Sequence, residues 1–388
     1  MNNNQKNVVY LIKSPLSVRD YARFGIDAWI DRGWTVRIFD LSKILNKKYL
    51  DYMAGNEDAW TPSKGVVDLS VFKSSREALR KIECIESRCI FIDFLNQGFF
   101  QRKVRKMAKR QGIILELHLG SIPIAIGKPS LIQKLHGLIL RPNRLFQYIV
   151  NKIFYVSKIE PDYIVVGGAK SEGFTRSKII RAHNFDYDFF LKDENLDEIS
   201  NSYVLFLDEN ICFHPDDYFL NLPQCATPEC YFPTMNKGLR AIAKVFDSEI
   251  IIAAHPSSNY EKRPKLFEYP TIKNHTYELI KNAKLVIAHG STSVQIAILL
   301  RKPILLVTTD QLEKSYCANS YRGFRRELRK PTINLDNIVE SSAILAGSSI
   351  DDLIYDQYIH NYIKQAHTPI KGAWEVVIDK LEADLRAV

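Results

Sequence analysis

Short apolar runs alternate with helical patterns along the first half of the chain. Residues 7–12 form an apolar run, residues 17–33 repeat apolar positions at helical spacing up to Gly33, and residues 35–39 form a second run. This opening predicts a strand–helix–strand unit. Further strands are predicted at 89–94, 113–117, 163–166 and 178–182, with helices at 74–86, 99–111 and within 131–156. The alternation predicts a doubly wound α/β domain.

A second series of the same kind follows an acidic, polar segment at residues 186–202, which we interpret as a linker. Strands are predicted at 203–207, 249–254, 285–288 and 333–335, and helices at 237–246, 276–282 and from residue 372 onward. The sequence therefore predicts an N-terminal Rossmann-like domain at 1–190, a C-terminal one at 201–365 and a terminal helix at 366–388. Two such domains leave a cleft beyond the carboxyl ends of their strands.

The stretch 284–306 carries the first candidate chemistry. Its apolar run ends at His289 and Gly290, and an apolar helical pattern resumes a few residues later. Between the two lie three hydroxyl residues, Ser291, Thr292 and Ser293. The free N–H groups at the start of a helix favour an anion such as phosphate, and glycine permits close approach of the backbone. The alternative is that Ser291 or Thr292 only caps the helix.

Two other strand ends carry polar groups. Asp208 and Glu209 directly follow the strand at 203–207, where a carboxylate could act as a base or a nucleophile. His255 and Pro256 follow the strand at 249–254, where an imidazole could hold a phosphate or protonate a leaving group. The alternatives are an acidic turn and an ordinary strand-end histidine. Because all three segments end strands of one predicted domain, we expect them to converge on one cleft.

Composition narrows the function classes. The 388 residues are 46% hydrophobic and 25% charged, no apolar run reaches membrane length, and the N-terminus does not resemble a secretory signal. Six cysteines without a paired CxxC motif fit a reducing cytoplasm. A net charge of +9 indicates anionic partners, yet the sequence carries no nucleic-acid motif. Dinucleotide, P-loop and HExxH motifs are also missing, so no cofactor and no metal are expected.

The order of the three segments resembles the GT-B glycosyltransferases that use CMP-activated acidic sugars. Bacterial sialyltransferases of this architecture carry a D/E-D/E-G motif, an HP motif and an S-S/T motif, and Kdo transferases are similar. The resemblance implies that Asp208 is the catalytic carboxylate, with His255 at the leaving phosphate. It also implies a nucleotide site built from Glu209, Pro256, His289, Gly290, Ser291, Thr292 and Ser293. Asn210 departs from the pattern, since sialyltransferases have glycine there.

The resemblance implies a transferase that moves an acidic keto-sugar, preferably Kdo, from CMP to a glycan or lipid-linked glycan acceptor in bacterial surface polysaccharide synthesis. A sialyl- or other nonulosonate transferase is one alternative. A GT-B enzyme with a UDP-sugar, GDP-sugar or CDP-polyol donor is another, and an epimerase-like or non-catalytic sugar-binding protein is a third. Whether Asp208 acts as base or nucleophile stays open.

Location and membrane contact are separate expectations. We expect a cytoplasmic protein, with the inner face of the cytoplasmic membrane as a second option. Two basic regions could contact anionic lipid or simply be solvated: the amphipathic pattern within 131–156 and the arginine run at 322–329. Arg19 and Arg23, near the end of the first strand, are candidates for contact with the donor or acceptor.

Overall fold

The computed structural model describes residues 6–46, 67–85, 89–124, 159–173, 175–193, 202–215, 217, 222–337 and 340–386. Two parallel sheets organise these residues. The first has the order β3-β2-β1-β4-β5-β6-β7 and the second the order β10-β9-β8-β11-β12-β13. The first sheet is built from β1 (Asn7–Ile12), β2 (Thr35–Asp40), β3 (Val67–Val71), β4 (Cys89–Asp93), β5 (Gly112–His118), β6 (Tyr163–Val166) and β7 (Lys178–Arg181). The second is built from β8 (Tyr203–Leu207), β9 (Ile250–Ala254), β10 (Thr271–Lys273), β11 (Ala283–Ala288), β12 (Ile304–Thr308) and β13 (Thr332–Asn334).

Helices cover both sheets, as crossover connections between parallel strands require. The chain before β8 contains α1 (Val18–Arg23), α2 (Ile26–Asp31), α3 (Ser42–Leu45), α4 (Ser75–Glu83), α5 (Phe99–Gln111) and α6 (Phe185–Lys192). The rest of the chain contains α7 (Pro228–Phe246), α8 (Thr276–Lys281), α9 (Val294–Leu299), α10 (Asp310–Lys314), α11 (Ala318–Leu328), α12 (Ser341–Gly347), α13 (Asp352–Tyr358) and α14 (Ala373–Arg386). None of the described helices is long and apolar enough to cross a bilayer.

Most predicted elements are confirmed, and the exceptions concern two predicted helices and two strands that were not predicted. The pattern at 17–33 is two helices, because Gly25 has a φ of 61° between them. A Cβ at Gly25 would lie 2.2 Å from the Trp374 ring, so the break lets a distant side chain pack there. The predicted helix within 131–156 lies outside the described residues. The edge strands β3 and β10 escaped prediction because they are short and partly exposed.

The predicted linker at 186–202 is partly helical. Helix α6 takes up its first residues, while residues 194–201 lie outside the described part of the chain. Asn184 caps the start of this helix, because its side chain accepts a hydrogen bond from the Tyr187 N–H. Two aspartates in its first turn favour the positive end of the helix dipole, so the acidic composition supports the helix. The domain limits proposed from the sequence stay predictions.

The terminal helix α14 packs on the first domain. Trp374, Val377 and Leu381 are buried in the same core as the side chains of β1 and β2. Polar contacts reinforce this packing, because Glu382 accepts a hydrogen bond from Trp34 Nε1 at 3.0 Å and pairs with Lys6 at 2.8 Å. The sequence predicts this helix but not the surface that it covers.

The two domains are joined by buried amide contacts. Gln295, on α9, donates from Nε2 to the Ser121 carbonyl at 3.0 Å, and its Oε1 accepts a hydrogen bond from Asn184 Nδ2. Ser121 follows β5 and Asn184 follows β7, so both lie at the carboxyl end of the first sheet. Gln295 lies just beyond the carboxyl end of β11. The carboxyl ends of both sheets therefore border one cleft.

Substituting Trp374 with alanine tests the packing of the terminal helix. Trp374 is 5% exposed and its Nε1 donates to the Arg23 carbonyl at 2.7 Å. We expect Trp374→Ala to lower the free energy of unfolding by about 3–5 kcal/mol, since it leaves a cavity. Chemical denaturation measures the change. Leu385→Ala on the same helix, where the leucine is 39% exposed, is the control and should cost about 0.5 kcal/mol or less. Equal effects would contradict the packing described here.

Candidate active site

The three polar segments predicted at strand ends meet at one edge of the second sheet. Strand β8 lies between β9 and β11, and all three strands run parallel. Hydrogen bonds connect the segments that follow these strands. Asp208 accepts one from the His255 backbone at 3.1 Å, and Glu209 accepts one from the Gly290 backbone at 2.8 Å. The acidic segment after the central strand is thus bonded to both of its neighbours.

Asp208 is buried and surrounded by donors. Its Oδ1 accepts from the Asn210 N–H at 3.0 Å, and its Oδ2 accepts from the His255 N–H and from Tyr260 Oη at 2.9 Å. Burial raises the pKa of this carboxyl, while the hydrogen bonds act against that shift. Both oxygens are therefore engaged by the protein, and the side chain holds the loop after β9 against the end of β8.

The carboxyl of Glu209 has fewer hydrogen-bond partners than that of Asp208. Its side chain is only partly buried, and one oxygen accepts the Gly290 N–H. Burial raises the pKa of Glu209 to about 8, and the nearby Asp208 charge acts in the same direction. A carboxyl with this pKa holds a proton at neutral pH. The acidic segment therefore includes a carboxyl that is neutral at pH 7 and accepts a hydrogen bond from Gly290 through one of its oxygens.

His255 is a neutral imidazole with a defined tautomer. Its Nδ1 lies 3.2 Å from the Ser257 backbone N–H, which can only donate, and 2.7 Å from Ser257 Oγ. The ring proton is therefore on Nε2. Burial, together with smaller effects of His214, Arg19 and Lys273, lowers the pKa of His255 to about 4. At neutral pH the ring offers an N–H donor without a charge.

Arg19 is a residue of the other domain whose charge influences this histidine. It lies on α1, just beyond the carboxyl end of β1, and its charge acts on His255 in the second domain. Burial and the like charge of Arg23 lower the pKa of Arg19. A positive charge of the first domain is therefore close enough to a neutral donor of the second domain to influence its pKa.

The hydroxyl loop lies at the start of α9, as the sequence predicts. Ser291 Oγ accepts the Ser293 N–H at 3.3 Å, and Ser293 makes no capping bond with its own side chain. Thr292 is exposed, whereas Ser291 and Ser293 are partly buried. Helix α9 has six residues, all of them buried. The contact of these hydroxyls with a phosphate stays a prediction.

His289 lies inside the domain. Its Nδ1 donates to the Val307 carbonyl at 2.7 Å, and its Nε2 accepts from Tyr231 Oη at 2.9 Å. Burial lowers the pKa of His289 to about 4. Both ring nitrogens are therefore occupied by the protein, and the ring ties β11 to β12 and α7. This placement does not bring His289 to the cleft surface.

Gly290 and Asn210 are explained by backbone geometry. A Cβ at Gly290 would lie 2.5 Å from Tyr321 Cδ1, so this glycine allows α11 to pack against the loop. Asn210 has a φ of 50°, in the left-handed region that asparagine and glycine tolerate best. Its side chain also donates to the Phe213 carbonyl and to Ser257 Oγ, each at 3.2 Å. Asparagine therefore fits a position where the resembling family has glycine.

Two tyrosines that complete the site escaped the sequence analysis. Tyr260 donates to Asp208 from 52 positions away in the chain, and Tyr231 donates to His289 from 58 positions away. Nothing in the local pattern identifies either partner.

Pro256 lies between His255 and Ser257 and is partly buried. Among the described residues, no three histidine, cysteine or acidic side chains are grouped as metal ligands, and the metal expectation stays a prediction.

Comparisons with known proteins support the fold. No protein-family profile and no curated protein sequence matches the chain. Solved structures match it along nearly its whole length. The calicheamicin glycosyltransferase CalG4 has a TM-score of 0.52 at 14% identity, covering 99% of both chains. MnaA from S. aureus with UDP has a TM-score of 0.50 at 11% identity, covering 99% of this chain and 98% of MnaA. The H444N variant of the wall teichoic acid polymerase TagF has a TM-score of 0.50 at 12% identity, covering 99% of this chain and 89% of TagF. The chain therefore has the GT-B fold of two Rossmann-like domains, as predicted.

The pKa of Glu209 predicts a dependence of stability on pH. The pKa rises from 4.5 to about 8 on folding, so the folded state keeps a proton that the unfolded chain loses. The stability from this group is fully present below pH 4.5 and is lost as the pH rises towards about 8. Glutamine cannot ionise and keeps an oxygen for the Gly290 N–H. We therefore expect the melting temperature of Glu209→Gln, relative to the parent, to increase as the pH rises through this range.

Thermal denaturation at several pH values measures this difference. Glu268→Gln, at a glutamate whose side chain is 51% exposed, controls for the loss of one negative charge. A difference between Glu209→Gln and the parent that is constant with pH would contradict a protonated Glu209.

Proposed function

We propose that the protein is a glycosyltransferase that uses a nucleotide-sugar donor. The observation that carries the proposal is the neutral imidazole of His255, which lies at a strand end, carries its ring proton on Nε2 and is influenced by the charge of Arg19 from the other domain. A neutral donor beside positive charge suits the phosphate of a departing nucleotide. The fold supports the same conclusion, since a cleft between two Rossmann-like domains suits a nucleotide-linked substrate.

The donor is proposed to be a uridine nucleotide sugar. The sequence motifs favour CMP-linked Kdo, but the three structures compared above give no support for a CMP donor, whereas MnaA is solved with UDP. CalG4, the calicheamicin glycosyltransferase, adds support for glycosyl transfer as the reaction class. A glycan or other hydroxyl acceptor would enter from the side of the first domain, where Arg19 lies.

His255, Glu209 and Asp208 are proposed to have different roles in the transfer. The bond between the anomeric carbon and the phosphate oxygen breaks, and the acceptor oxygen bonds to the anomeric carbon. The acceptor proton passes to solvent. His255 donates a hydrogen bond to the leaving phosphate, and Glu209 gives it a proton that solvent later replaces. Asp208, to which the sequence analysis assigns the catalytic carboxylate, is proposed instead to position His255, because both of its oxygens are engaged.

A panel of nucleotides tests the donor. Ligand binding to the folded state raises its stability, by about 2.7 kcal/mol at one hundred times the dissociation constant. We expect UDP to raise the melting temperature more than CMP, CDP or GDP does. Because no metal is expected, removing metal ions with EDTA should leave this difference unchanged. Stabilisation by CMP alone would instead favour the keto-sugar donor. No stabilisation by any of the four nucleotides would contradict the proposed function.

Substitutions at the two proposed catalytic residues test their roles. We expect Glu209→Gln to lower turnover by about 10²- to 10⁴-fold with nucleotide binding retained, since it removes only the proton donor. His255→Ala should also weaken nucleotide binding, by about 10- to 100-fold, because it removes a hydrogen bond to a charged group. Release of nucleotide from the donor sugar measures turnover, and calorimetry measures binding.

Two exposed residues of the same types, Glu268 and His367, provide matched control variants, Glu268→Gln and His367→Ala. Both controls should retain turnover and binding. Full turnover in Glu209→Gln would assign the proton transfer to another group.

A further inference from the structure

Helix α11 presents a row of arginines that the proposed reaction does not use. Arg322, Arg325, Arg326 and Arg329 are exposed and follow the spacing i, i+3, i+4 and i+7, which places them on one face of the helix and its C-terminal end. They line a groove of about 550 Å³ together with Lys330 and Pro331. The row extends about 10 Å along the helix. We call these four arginines and their groove the arginine face.

Nearby acids neutralise only part of this charge. Arg322 pairs with Glu313 at 3.1 Å, and Arg326 pairs with Glu327 at 2.9 Å. Glu327 is shared, because it also pairs with Lys170 at 2.6 Å. Within the described residues no carboxylate pairs with Arg325 or Arg329. The arginine face therefore keeps a net positive charge.

Lys330, which also lines the groove, has a structural role. Its ammonium group donates to the carbonyls of Gly347 and Ser349, and burial lowers its pKa to about 8. One lining residue is thus fixed by hydrogen bonds, while the arginine side chains are exposed, with Arg322 at 50% and Arg326 at 57%. Long exposed side chains of this kind suit an extended anionic surface better than a single enclosed anion.

An exposed apolar side chain lies beside the arginine face. The backbone of Pro123 contacts α11, because a Cβ at Gly323 would lie 2.2 Å from the Pro123 oxygen. The next residue, Ile124, is 52% exposed. Basic side chains next to an exposed apolar residue are the combination that favours the headgroup region of an anionic bilayer.

We propose that the arginine face binds the headgroups of anionic phospholipids and holds the protein at a membrane surface. The opposite side of α11 is buried, where Tyr321 and Phe324 pack on Gly290 at the hydroxyl loop. A membrane bound to the arginine face therefore has a set orientation relative to the cleft. The phosphates of the lipid meet the guanidinium groups, and Ile124 enters the interface.

Vesicle sedimentation of the full chain tests the proposal. We expect the protein to sediment with vesicles that contain phosphatidylglycerol, to remain in solution with phosphatidylcholine alone, and to be released by salt. Each basic side chain at such a surface strengthens partitioning by about fivefold, so Arg325→Gln with Arg329→Gln should weaken it by about thirtyfold. The thermal shift with nucleotide should not change in this double variant, which separates the test from the proposed function.

The matched control lies on α4, where Arg76 and Arg80 are also exposed and line a second basic groove. Arg76→Gln with Arg80→Gln should sediment as the parent protein does. Three results would overturn the proposal: no binding to phosphatidylglycerol vesicles, equal binding by both double variants, or calorimetric binding of inorganic phosphate or an oligonucleotide by a protein that does not sediment with vesicles.

Discussion

The buried carboxylate of Asp208 is the constraint on which the candidate site depends. Removing a carboxylate from water costs several kcal/mol unless hydrogen bonds replace its hydration. Here three donors replace it, the backbone N–H groups of Asn210 and His255 and the hydroxyl of Tyr260. None of them can move away without leaving a buried carboxyl oxygen unsatisfied. The loop after β9 is therefore held against the end of β8, and the imidazole of His255 is oriented as a result.

Two residues of the same chemical type in this site differ in how many of their polar atoms are hydrogen-bonded within the protein. Asp208 and Glu209 are neighbours, yet both oxygens of the first accept hydrogen bonds from the protein, while Glu209 uses one oxygen for the Gly290 N–H. The histidines differ in the same way. His289 uses both ring nitrogens inside the domain, whereas the contacts of His255 involve Nδ1. Each pair thus combines one group with both of its polar atoms bonded within the protein and one group with bonds at only one of them.

The sequence is sufficient for the fold because apolar spacing changes between strand and helix in nearly every unit. It also places the three polar segments together, since parallel neighbouring strands end at one edge. It cannot tell which of Asp208 and Glu209 faces inward, because the alternation of a strand stops where the strand stops. Nor can it find the break at Gly25, which depends on Trp374 near the other end of the chain. Side-chain partners far apart in sequence are beyond any local pattern.

The contacts between the domains indicate where they can move relative to each other. The chain leaves the first sheet after β7 and returns to the first domain before α14. These two crossings lie side by side, because the Asn184 N–H donates to the Ile363 carbonyl at 3.0 Å and the backbones at His183 and Lys364 form an antiparallel bridge. Gln295, from the second domain, accepts a hydrogen bond from the Asn184 side chain next to these crossings. A rotation of one domain against the other strains these bonds least when its axis passes through them. The side of the cleft away from the crossings then moves furthest, and the separation of Arg19 and His255, which belong to different domains, would change with that rotation.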